Sequence, residues 1–216
     1  MKAIIFDFDG TLADTLPICF YSFQAVFKAF DNKELTTDEI KAMFGPSETG
    51  IIRENLVDPN REQAIELYYE KYREKHRELV LDNEEMNHLL QQLKHEGYKL
   101  GIVTGKARRS LLLSLECLQM NDLFDVIITG DDVDIPKPYP EGVNKALDQL
   151  KIKNSEAMFL GDSEADILAG KQANVQTIGV QWLPNYQTPA FEIQPDQMFH
   201  SVEAFKQYLQ TVDRKN

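Results

Sequence analysis

Lys2-Ala3-Ile4-Ile5-Phe6-Asp7-Phe8-Asp9-Gly10-Thr11 is the stretch around which the chain is organised. Its apolar run climbs from Ala3 to Phe6 and stops at an aspartate, and a second aspartate and a Gly-Thr turn follow. A short isoleucine-rich run without alternation, closed by a glycine turn, reads as a strand buried on both faces. Carboxylates at the carboxyl end of such a strand stand where open α/β sheets place their ligands.

The same pattern recurs further along. Tyr98–Val103 is an apolar run ending at Thr104-Gly105-Lys106. Phe124–Ile128 ends at Thr129-Gly130-Asp131-Asp132, and Ala157–Leu160 ends at Gly161-Asp162-Ser163. Val175–Trp182 reads as a further strand and Met198-Phe199 as a short last one. Helical spacing lies between them, as in Met86, Leu89, Leu90 and Leu93, or Val143, Ala146, Leu147 and Leu150. Val202, Phe205, Leu209 and Val212 close the chain as an amphipathic helix. Buried strands alternating with helices predict an α/β fold, a doubly wound parallel sheet covered on both faces.

One block breaks the alternation. No strand signal falls between Leu16 and about Leu81. Phe20, Phe23, Phe27 and Phe30 recur at helical spacing after Pro17, and such a stripe reads as core. Thr36-Thr37-Asp38-Glu39 fits a capping box whose helix should end at Phe44, before Gly45-Pro46. Ala64, Leu67, Tyr68 and Tyr72 mark another helix. The chain therefore reads as a discontinuous core, residues 1–15 and 83–216, with a helical cap, residues 16–82, inserted in the first crossover.

The formal net charge of -12 argues against nucleic acid and against anionic membranes, which are bound through excess Lys and Arg. No run reaches the roughly 18–20 apolar residues of a membrane helix, and Asp7 follows Met1 too soon for a secretory signal, so a cytoplasmic protein is expected. Cys19 and Cys117 have neither disulfide nor metal spacing and read as small apolar residues. His76, His88, His95 and His200 are scattered over charged stretches and read as solvated. The charged outer face of the cap helices leaves monomer and homodimer both open.

A parallel sheet brings Asp7, Asp9, Thr104, Asp131, Asp132 and Asp162 to one edge, with Lys137 just beyond the third strand. Any one of them could be a helix cap or a turn residue; the set points to a site. Asp7, Asp9, Asp162 and Asp166 form a negative cluster, with Asp162 and Asp166 four apart at the start of a helix. Crowded carboxylates need a counter-charge, and a hard divalent cation with oxygen ligands, Mg²⁺ foremost, meets that need with Lys137 beside it. One carboxylate of the first pair could attack phosphorus, and the other could protonate the leaving oxygen. The Thr104 hydroxyl and nearby backbone N–H groups could hold the phosphoryl oxygens.

These motifs, in this order, resemble those of the haloacid dehalogenase superfamily: Asp7-Phe8-Asp9-Gly10-Thr11, Thr104-Gly105, Lys137-Pro138, and Gly161-Asp162-Ser163-Glu164-Ala165-Asp166. The resemblance implies Asp7 as nucleophile and Asp9 as general acid/base. It implies Thr104, Gly105 and Lys137 on the phosphoryl group. Mg²⁺ would be held by Asp7, the Asp9 carbonyl, Asp162 and, in support, Asp166. An acid at position 9 favours phosphoryl transfer over dehalogenation. Phe44-Gly45-Pro46-Ser47, Thr129–Val133 and Lys137–Glu141 are similar to the phosphoglycolate phosphatase group and its pyrophosphatase relatives, although Asn174 and Leu183 stand where that group often carries glycine. Gly45 would then lie in a substrate-reading loop of the cap, or else in a plain helix stop. The implied function is a Mg²⁺-dependent phosphatase of small phosphorylated metabolites working through an aspartyl-phosphate. A sugar-phosphate mutase and a non-catalytic sensor of a phosphorylated ligand are the alternatives.

Overall fold

Ala3, Ile4, Ile5 and Phe6 all have 0% exposure in the computed structural model, which describes residues 1–213. They form β1 (Ala3–Phe6), and burial on both faces is the reason this run carries no polar alternation. Four helices follow: α1 (Leu16–Asp31), α2 (Thr37–Lys41), α3 (Glu48–Asn55) and α4 (Arg61–Leu79). The helices and strands then alternate: α5 (Glu84–His95), β2 (Lys99–Val103), α6 (Arg108–Cys117), β3 (Val126–Ile128), α7 (Glu141–Leu150), β4 (Ala157–Gly161), α8 (Glu164–Gln172) and β5 (Gln176–Val180). β6 (Gln197–Phe199) and α9 (Val202–Asp213) complete the described chain.

The sheet has six strands in the order β3-β2-β1-β4-β5-β6, every pair parallel. The order reverses at β1, with β2 on one side and β4 on the other, so the crevice of a doubly wound sheet opens at the end of β1. Alternate β1 residues feed two layers. Ile4 and Phe6 join a core with Leu89 of α5, Leu111 of α6 and Phe205 of α9. Ala3 and Ile5 join another with Val143 and Ala146 of α7 and Ala169 of α8.

The helical block 16–79 carries no strand, and its own core runs on from the sheet through Phe23, Phe27, Tyr68 and Tyr72. Phe23 lies 4.7 Å from Tyr68, ring centre to ring centre, where α1 packs on α4. Of the expected aromatic stripe, Phe23 and Phe27 are buried, and Phe20 and Phe30 sit at its edge. The Thr36–Glu39 capping box is present. Its helix stops at Lys41 rather than Phe44, and α3, which the sequence pattern did not signal, begins after the Gly45-Pro46 turn.

His76 corrects the reading of solvated histidines. It is 1% exposed, and its Nε2 lies 2.9 Å from Ser114 Oγ of α6, which also bonds the Tyr72 hydroxyl at 2.8 Å. His88, His95 and His200 are exposed. Cys19 is buried and Cys117 half-buried, both free.

Candidate active site

Asp7 follows β1 directly and is held in strand register by its N–H, which donates to Leu160 O at 2.8 Å. Its side chain is buried, and Oδ1 accepts from Lys137 Nζ at 2.9 Å. Lys137 also donates to Asp166 Oδ1 at 2.5 Å. Asp162, at the end of β4, has 0% exposure; Thr11 Oγ1 donates to its Oδ1 at 3.1 Å and Gln187 N–H to its Oδ2 at 2.7 Å. Asp166 sits in the first turn of α8, where it completes a capping box with Ser163, whose N–H and hydroxyl donate to its Oδ2.

Oxygens of Asp7, Asp162 and Asp166 lie within 4.8 Å of one another. Burial pushes Asp7 up to about 7; Lys137 opposes that rise, while Asp166 and Asp9 add to it. Burial, together with Asp7 and Asp166, also raises Asp162 well above the ordinary carboxylate range. Burial works to lower Lys137, but Asp166 and Asp7 outweigh it and hold the ammonium above its usual range. One lysine among three buried carboxylates leaves an excess of negative charge. An all-oxygen donor set of this kind fits a hard divalent cation. A Cβ at Gly10 would collide with the Asp162 carboxylate, so this turn closes onto the cluster only as glycine.

The Asp9 carboxylate stands apart from that cluster. Its Oδ1 accepts from Thr15 Oγ1 and from Lys106 Nζ, the latter at 3.0 Å. Of the expected metal set, the Asp9 carboxylate is the one that does not converge with Asp7, Asp162 and Asp166. Thr104 is buried at the end of β2, and its N–H donates to Ile128 O at 3.0 Å. Gly105 follows, so close to the Gly45-Pro46 turn that a Cβ on it would lie 3.6 Å from Gly45 O. Asp7, Asp9, Thr104, Gly105, Lys137 and Gly45 all line one cavity of about 360 Å³.

Asp131 and Asp132 do not join it. Asp131 accepts from Arg108 N–H at 2.8 Å; Asp132 accepts from Thr129 N–H at 2.8 Å and pairs with Arg108 at 2.5 Å. Both work as local caps, the role such residues most often fill at strand ends. In turn, Lys106 and Glu48 line the cavity as buried charged residues that no spacing signalled.

A sequence profile described as haloacid dehalogenase-like hydrolase matches residues 4–180. The chain belongs to that family. It is a hydrolase of the haloacid dehalogenase-like type, and the four motifs that carried the resemblance fall on the edge formed by β1, β2 and β4 and on the segment before α7. Along its length it is similar to pyrophosphatase PpaX of Bacillus cereus (strain B4264), 31% identical over 215 residues, 99% of each chain. Two crystal structures share the fold. CbbY from Rhodobacter sphaeroides, in complex with phosphate, superposes with a TM-score of 0.81 at 23% identity, covering 93% of this chain and 94% of that one. A predicted phosphoglycolate phosphatase from Haemophilus somnus gives 0.85 at 22% identity, covering 97% and 98%. Among the described residues no helix is long and apolar enough to cross a membrane.

Proposed function

We propose that this hydrolase is a Mg²⁺-dependent phosphatase of small phosphorylated metabolites, with pyrophosphate and phosphoglycolate-like monoesters as the first candidates. The observation that carries the reading is the buried Asp7–Lys137–Asp166–Asp162 cluster, which meets a cavity of about 360 Å³ through Asp7 and Lys137. Full-length similarity to a pyrophosphatase supports the substrate class.

Lys137 ties Asp7 Oδ1, so the other carboxylate oxygen is the one to attack. The bond from that oxygen to phosphorus forms as the bond from phosphorus to the leaving oxygen breaks, which gives an aspartyl-phosphate. Asp9 protonates the leaving oxygen. It then takes a proton from the water that attacks phosphorus, and the Asp7–phosphorus bond breaks to free phosphate. Thr104 and the Gly105 N–H hold phosphoryl oxygens, and Lys137 offsets their charge. Asp7, Asp162, Asp166 and the Asp9 carbonyl would hold Mg²⁺, which supplies charge neutralisation between an anionic nucleophile and an anionic substrate. Residues 16–82 act as a cap that brings Gly45 over the site and excludes water.

Phosphate release from pyrophosphate, phosphoglycolate and other monoesters, with Mg²⁺ and with chelator, tests this. Release should need Mg²⁺ and fall at least about a thousandfold in Asp7→Asn, with the fold intact. An active Asp7→Asn enzyme would end the proposal.

A further inference from the structure

Lys106, two residues beyond Thr104, has a side chain with 0% exposure. Its Nζ donates to Asp9 Oδ1 at 3.0 Å, lies 3.2 Å from Glu48 Oε1, and stands 4.6 Å from the centre of the Tyr72 ring. Asp9 belongs to the loop after β1, but Glu48 starts α3 and Tyr72 lies in α4. Glu48 is itself buried, and its carboxylate turns back to the core: Oε2 accepts from Ala107 N–H and Oε1 from Ser110 Oγ at 2.5 Å, both at the start of α6. A buried ammonium is tolerated only where it is fully paired. The helical insertion supplies three of the groups that make this seat, the Glu48 carboxylate, the Tyr72 ring and the Cys19 sulfur of α1, 3.5 Å from Nζ. Asp9 is held by one oxygen. Oδ1 takes Thr15, Lys106 and, at 3.9 Å, the Cys19 thiol, and among the described residues Oδ2 accepts no hydrogen bond and is left for the cavity.

We infer that Lys106 is a positioning residue for Asp9, and that Glu48 completes its seat only when residues 16–82 rest on the core, so that docking of the helical block aligns the acid/base. The inference rests on the reading of Asp9 as acid/base. Lys106 touches no reacting atom in this account; it fixes the carboxyl rotamer that presents Oδ2 to the leaving oxygen.

The test uses two probes at saturating Mg²⁺. The phenolate of p-nitrophenyl phosphate leaves with little help from a proton, whereas the alkoxide of phosphoglycolate needs one. Single-turnover release of each alcohol is measured in wild type, Asp9→Asn, Lys106→Met, Glu48→Gln and the charge-balanced pair Lys106→Met/Glu48→Gln. Lys106→Met should lose roughly tenfold to a hundredfold with phosphoglycolate and less than about threefold with p-nitrophenyl phosphate. Glu48→Gln should show the same bias at about tenfold. The double variant, which leaves no unpaired buried charge at positions 48 and 106, should repeat the Lys106→Met ratio and guards against simple misfolding. Equal losses with both probes, or a wild-type rate in Lys106→Met, would overturn the inference while an Asp9→Asn bias kept the acid/base reading. An Asp9→Asn enzyme without that bias would overturn both.

Discussion

At Gly10 the backbone takes a φ of +81°, and a Cβ there would run into Asp162. Gly10→Ala therefore meets two obstacles at once: a left-handed backbone costing roughly 1–3 kcal/mol for a residue with a side chain, and displacement of a buried carboxylate. Thermal unfolding together with a Mg²⁺ titration of activity should show lower stability and weaker apparent Mg²⁺ affinity; unchanged Mg²⁺ dependence would separate this turn from the cluster. Asn174, where the resemblance calls for glycine, adopts a φ of 55°. Asparagine tolerates the left-handed region, so the departure keeps the turn. Residues of this kind are hard to read in a sequence. Lys106 and Glu48 look like ordinary solvated charges, and only the folded chain, where Glu48 bonds Ala107 and Ser110 at the start of α6, shows that they are buried. His76 did carry a signal, because it continues Tyr68 and Tyr72 at a spacing of four along α4, but its neighbours Lys75 and Arg77 masked the stripe.

Elements were easier. Each of β1, β2 and β4 is an apolar run ended by a polar residue, and such runs alternating with helices predict a parallel sheet, which the strand order β3-β2-β1-β4-β5-β6 bears out. Asp131 and Asp132 obey the same pattern but serve backbone N–H groups that need acceptors, Asp132 that of Thr129 at the end of β3 and Asp131 that of Arg108 at the start of α6. α3 went unseen because Gly45-Pro46 reads as the end of a helix, not the approach to another. Between α4 and α6, His76 gives a prediction. Burial pushes it down to about 4 from an ordinary 6.5, with Lys106 adding to the shift and Asp82 opposing it. The folded chain thus binds this proton less readily than the unfolded chain. The neutral-His76 contribution is complete above the unfolded value and is lost as pH falls towards the folded one, at most roughly 2–3 kcal/mol. Urea melts at about pH 7 and about pH 4.5 should show wild type losing more stability than His76→Gln. Equal losses would mean that His76 titrates normally.

For the whole molecule, a formal net charge of -12 makes the approach of an anionic substrate a matter of local positive charge. A cation that binds only the folded cluster adds stability by mass action. Mg²⁺ at a hundredfold over its Kd should contribute about 2.7 kcal/mol, a rise in Tm of roughly 5–10 °C for a chain of this size. Asp162→Asn should abolish the shift, and a full shift in that variant would place the ion elsewhere. The helical block from α1 to α4 belongs to this scale too, since through Glu48 and Tyr72 it reaches the group that orients Asp9.

The central claim is that phosphorus passes through a bond to Asp7. Rapid-quench labelling of Asp9→Asn with radiolabelled substrate in Mg²⁺, followed by peptide mapping, tests it most directly. A hydroxylamine-sensitive label is expected on the peptide carrying Asp7, absent when Asp7→Asn is added. Label on any other residue, or wild-type turnover by a direct water attack that never labels the protein, would contradict it.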